Sequence, residues 1–149
     1  MPELNGFFCL RTARDLREKL EVDYRRLFQS DPASIEAQYA AFDFFVCAEH
    51  IPDWLSETSG GSITHHRSYP EGAMVSHIAN GAKHFRVKDR RHTSVKNTTT
   101  EPGAFDENIF DPSVFDCTPR LVIELESGAT ADVLELADKV ISHWQSVLP

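Results

Sequence analysis

Apolar residues recur at helical spacing from about Thr12 to Gln29. Leu16, Leu20, Tyr24, Leu27 and Phe28 are interleaved with Arg, Glu and Asp, so a first amphipathic helix is expected there. Asp31-Pro32 then has the form of a new helix start, with Asp31 as cap and Pro32 at the first helical position. That second helix is expected to reach about His50, because Pro52 removes a donor from the hydrogen-bond ladder. Its sequence, IEAQYAAFDFFVCAEH, is apolar almost all round. Ile35, Tyr39, Phe42 and Val46 lie on one side and Ala40, Phe44 and Cys47 on the other, which is the pattern of a helix buried at the centre of a domain. SETSGGSITHHRS reads as a flexible connection, with the His65-His66 pair in solvent. A third helix is expected from near Pro70 to Phe85, with Met74, Ile78 and Phe85 facing the core.

From about Val87 to Thr118 the period is lost. TSVKNTTTEPGAF and DPSVFDCTP place Pro, Gly, Asn and Asp around short β-prone pieces. RLVIELE, Arg120 to Glu126, is the clearest strand, since Leu121, Ile123 and Leu125 alternate with Val122, Glu124 and Glu126. Ser127-Gly128 makes a turn, and the chain closes with an amphipathic helix from about Ala131 to Val147. Val133, Leu136, Ala137, Val140, Ile141, Trp144 and Val147 share one face of it. The predicted fold class is α+β and mostly α: a helical bundle with a small antiparallel sheet or hairpin before a C-terminal amphipathic helix. One domain is expected over 1–149, helical from 10 to 86, β-containing from 87 to 128 and closed by the helix over 131–147.

Composition changes this picture little. With 149 residues, 41% hydrophobic and 26% charged, the chain is long enough for a real core. Neither a membrane span nor a basic signal-type leader is evident, and Cys9, Cys47 and Cys117 form no CxxC pair. Reduced thiols in a cytoplasmic protein are therefore expected. The net charge of −8 disfavours a nucleic-acid-gripping surface. Charge is nonetheless segregated. Lys83, Arg86, Lys88, Arg90, Arg91 and Lys96 form a basic stretch with only Asp89 opposing, and Glu101 to Glu126 is acidic apart from Arg120.

Two polar constellations are candidates for chemistry. Asp43, Cys47 and His50 fall within about 60° of one another on the second helix, and Asp53 follows the proline. Asp43 or His50 would serve as a metal ligand or an acid/base group, or Asp43 accepts hydrogen bonds from a neighbouring element. On the third helix His77, Asn80 and His84 form a second stripe, with the histidines roughly 10 Å apart along the axis. That is too far for both to bind one metal, and the H-E-x-x-H signature is absent. A metal would need His77 or His84 together with Asp43, His50 or Asp53 from the second helix. Gly81 would let that helix approach closely. No nucleotide-binding loop, cofactor motif or nucleophile elbow is present.

FDFFVCAEHIPDW and HIANGAKHF resemble paired motifs in uncharacterised bacterial proteins of similar length, in which a strand and an amphipathic helix close the chain. RVKDRRH, Arg86 to His92, loosely resembles the Arg–His signature of the helical HEPN superfamily, whose active members are metal-independent ribonucleases of toxin and phage-defence systems. It departs from that signature in having Val87 where a polar residue follows the arginine. That resemblance implies Arg86 and His92 as ribonuclease residues. The residues themselves point first to a non-enzymatic module that binds a protein or acidic partner, or self-associates. In it Asp43, His50, Asp53, His77, Asn80 and His84 would form a polar network between the second and third helices. The alternatives are the ribonuclease, or a hydrolase with a metal between those helices.

Overall fold

The structure is a computed structural model and describes residues 5–84, 95–104, 106–114 and 116–149. Helix α1 (Ala13–Gln29) opens on a capping box. Thr12 Oγ1 accepts from the Asp15 amide at 3.1 Å, and Asp15 Oδ2 accepts from the Thr12 amide at 2.9 Å. Leu16, Leu20 and Leu27 are buried as the pattern requires, but Phe28 is not. It is 64% exposed and stacks on Tyr24.

Helix α2 (Ile35–Ser59) differs from expectation at both ends. Its cap is Ser34, whose hydroxyl accepts from Ala37 N. Asp31 instead accepts from Ala33 N, closing the turn that precedes the helix. At the other end α2 runs straight through Pro52. The proline has no N–H for the Ala48 carbonyl, but its ring is fully buried beside Ile51 and Leu55, and packing outweighs the lost bond. The helix is also not buried all round. Ala40, Phe44, Cys47, Ala48 and Ile51 face the core, whereas Ile35, Tyr39 and Phe42 are 50%, 60% and 51% exposed. Phe44 meets Phe45 edge-on at 5.2 Å in the centre of the molecule.

The presumed flexible connection holds a short helix, α3 (Ile63–Arg67), capped by Ser62. Helix α4 (Gly72–His84) presents Val75, His77 and Ala79 to the interior, with Met74 and Ile78 partly buried against the core. Phe85, expected on that face, lies outside the described residues.

Strands β1 (Val95–Glu101), β2 (Arg120–Leu125) and β3 (Thr130–Asp132) form an antiparallel sheet in the order β1-β2-β3. The Ser127-Gly128 turn joins β2 to β3, with Leu125 N donating to Ala129 O at 2.8 Å. The third strand was not expected. It occupies the start assigned to the last helix, so α5 (Val133–Val147) begins at its cap Asp132, whose carboxylate accepts from the Leu134 and Glu135 amides. The molecule is thus mostly α with a small antiparallel sheet, an α+β fold. One contiguous core joins α1, α2, α4, β2 and α5, with Leu20, Phe44, Ile51, Val75, Ile123, Val140 and Trp144 fully buried. Each such side chain contributes about 1.5–3 kcal/mol. Among the described residues no helix is long and apolar enough to cross a membrane.

Candidate functional site

A cleft of about 780 Å³ opens between α2, α3 and α4. Its place follows from local structure. Because α2 does not stop at Pro52, Glu49 and Asp53 stay on one helix, one turn apart, and face the same side. Gly60 and Gly61 then turn the chain into α3, where His66 Nε2 lies 2.8 Å from Gly60 O. Arg67, the last residue of α3, meets both acids. Its Nε is 3.0 Å from Glu49 Oε1, and its Nη2 donates to Asp53 at 3.5 Å. Ser76 of α4 completes the set, donating from Oγ to Glu49 Oε2 at 2.8 Å. The corner between α3 and α4 is tight enough to require Gly72, where a Cβ would fall 2.0 Å from Arg67 O.

Tyr69 forms one wall of this cleft. Its ring stacks on His143 of α5 at 4.1 Å and 8°, and meets Trp144 edge-on at 5.3 Å. Burial pushes the Tyr69 phenol well above its ordinary range and lowers the His143 imidazole, the latter opposed by Glu71.

The sequence candidates divide around this geometry. His50, Asp53, Asn80, Lys83 and His84 all line the cleft. Among these, His50, Asn80, Lys83 and His84 hold no hydrogen bond or ion pair among the described residues, so they are donors and imidazoles open to a ligand. Asp43 is elsewhere, half-exposed and paired with Arg26 Nη1 of α1 at 2.9 Å. His77 is buried on the far side of α4, where its Nδ1 accepts from the Val95 amide at 3.1 Å and ties α4 to the start of β1. It lines a second cleft, of about 490 Å³, between α2, α4 and the sheet. Phe42 and Ala82 border both clefts. Asp43, His50 and His77 are therefore not gathered, and among the described residues no three His, Cys, Asp or Glu side chains stand close enough to hold a metal ion. Of the basic stretch, Lys83 is exposed at the first cleft and Lys96 pairs with Glu124 at 3.3 Å. Arg86, Lys88, Arg90, Arg91 and His92 lie outside the described residues.

The network expected between the two helices is thus built from other side chains. Glu49, Arg67 and Ser76 hold it with Asp53, and none of the first three was singled out from sequence. The available signal was an acid pair, Glu49 and Asp53, on a largely apolar helix, which calls for a nearby cation; Arg67 is a close one in the chain. Cys47 is inert. Burial pushes its thiol up to about 12, against the attraction of Lys19, and its Sγ donates to Leu16 O. Compared with protein-family models, with curated proteins and with solved structures, the chain matches none of them.

Proposed function

We propose that this chain is a non-enzymatic binding module whose α2–α3–α4 cleft, with the adjoining α2 stripe, takes an acidic protein segment carrying apolar side chains. One observation carries the reading. The acids of the cleft, Glu49 and Asp53, are engaged by Arg67 and Ser76, while the groups left open are Lys83, Asn80, His50 and His84. Open donors beside satisfied acceptors favour a carboxylate-bearing ligand.

The apolar half of the partner is called for by Ile35, Tyr39 and Phe42, which lie at i, i+4 and i+7 on α2 and lead through half-buried Val46 into the cleft. Binding is favoured over catalysis because the polar groups with fixed geometry are bonded to one another. The open ones have no neighbour to orient or activate them.

Titrating the isotopically labelled protein with a synthetic peptide of alternating Glu and Leu tests this. Amide shifts at Phe42, His50, Asn80 and Lys83 are expected, with affinity falling as salt rises and falling about tenfold in Lys83→Glu. Shifts confined to other faces, or binding indifferent to Lys83→Glu, would overturn the reading.

A further inference from the structure

Residues 102–119 connect β1 to β2, an excursion longer than the roughly 12–15 residues beyond which loops in compact domains usually have a role of their own. Its base is closed, because a Cβ on Gly103 would fall 2.2 Å from the Cys117 carbonyl carbon. Within it, 106–114 (DENIFDPSV) is organised by two aspartates five residues apart. Asp106 accepts from Asn108 N and Asp111 from Ser113 N, both at 2.9 Å. Each turn carries an aliphatic side chain outward, with Ile109 75% and Val114 73% exposed. Asp106, Glu107 and Asp111 stand beside them in the chain.

We infer that the occupant of the cleft is this loop from a second copy of the chain, exchanged reciprocally in a two-fold dimer. The inference rests on the binding reading above and names its partner. The cleft's own carboxylates, Glu49 and Asp53, are engaged by Arg67 and Ser76, and the loop supplies further ones for Lys83, Asn80, His50 and His84, with aliphatic groups for Phe42 and Tyr39 of the adjoining stripe. It does not fill its own cleft, which no residue of 106–114 lines. One end of β1 is pinned to α4 through His77, and the loop leaves the other end of this seven-residue strand, about 20 Å further on. Reciprocal exchange uses both surfaces of both copies and closes the assembly, whereas one-sided docking would propagate.

Sedimentation of the full chain over a wide concentration range tests the inference. A dimer that weakens with added sodium chloride is expected, with Ile109→Asp/Val114→Asp and Lys83→Glu each monomeric. An equimolar mixture of the two variants should regain a weaker heterodimer, since one intact loop still meets one intact cleft. Lys83→Glu combined with Asp111→Lys should recover self-association by charge exchange. A chain that stays monomeric, or a dimer that both variants leave intact, overturns the inference. If the Glu/Leu peptide still shifts the cleft amides of a monomeric chain, the binding reading stands and only the choice of partner fails.

Discussion

Replacing Arg67 with methionine removes the guanidinium and keeps most of the aliphatic stem, so the change isolates its charge and hydrogen bonds. Two contacts are lost, and they differ in weight. Glu49, with its side chain only 16% exposed, loses the cation at 3.0 Å while keeping Ser76 Oγ at 2.8 Å. Asp53 is 37% exposed and loses a longer contact at 3.5 Å, so water readily replaces it. Arg67 Nε forms no hydrogen bond among the described residues, so what Glu49 loses is a close, largely buried charge partner. Breaking such a pair costs up to about 3–5 kcal/mol when burial is complete, whereas a solvated ion pair contributes roughly 0–1. Arg67 is itself 32% exposed, which keeps the pair below the larger cost of breaking a fully buried one.

The expected loss is therefore about 2 kcal/mol, chiefly through Glu49, which for a chain of 149 residues lowers Tm by about 4–8 °C. Urea unfolding followed by circular dichroism should show a lower midpoint with an unchanged m-value. The decisive measurement is the cycle with Glu49→Gln. If the pair is coupled as the distances indicate, the double variant is less destabilised than the sum of the singles by about 1 kcal/mol. Additive losses, or an Arg67→Met midpoint equal to that of the parent, would refute the assignment of Glu49–Arg67 as the fixed floor of the cleft.

His143 gives a pH test. Its folded-state pKa is lowered from 6.5 by burial, so below pH 6.5 the unfolded chain binds more protons; this stability is full above that value and is lost as pH falls through the folded pKa. Between about pH 7 and about pH 5 the Tm of the parent should fall more than that of His143→Phe, which keeps the stack on Tyr69; parallel curves would remove the imidazole from the account. For the thiols, iodoacetamide applied to the native protein at about pH 8 should modify exposed Cys9 and spare Cys47, whose thiol is buried and pushed up to about 12. Mass spectrometry showing equal labelling at both would contradict the burial of Cys47.

Much of the fold was legible because its signals were periodic. The faces of α1 and α5 and the alternation of β2 each span several repeats, and the core takes Leu16, Leu20, Ile123, Leu136, Val140 and Trp144 from them. Other features failed for identifiable reasons. Thr130–Asp132 pairs with β2 as a strand of only three residues, too short to show a period, and Asp132 also caps the helix that follows. Asp31-Pro32 carries the residues of a helix start, yet Ser34 supplies the same capping chemistry closer to the apolar run. The Gly/Ser-rich stretch before α4 hid α3 because a five-residue helix needs only the Ser62 cap and one turn of hydrogen bonds.

The Glu49–Arg67–Ser76 side of the cleft was missed through Pro52. A proline inside a helix costs about 3 kcal/mol or more in isolation, and on that ground the helix was expected to end near His50. In the folded chain the ring is enclosed by the core, and burial of Ile51 and Leu55 on the same turn offsets the lost bond. Ending the helix early separates Asp53 from Glu49, and an acid pair with no common face gives no reason to look for Arg67. The same limit applies to the exposed stripe. Periodicity states that Ile35, Tyr39 and Phe42 share a side of α2, but the sequence pattern of a covered face and of an uncovered one is identical. In the folded chain α4 turns Val75 and Ala79 to the interior and is tied to β1 by His77, and Ile35, Tyr39 and Phe42 stay exposed. An apolar helix that reads as buried all round can therefore keep one face in solvent.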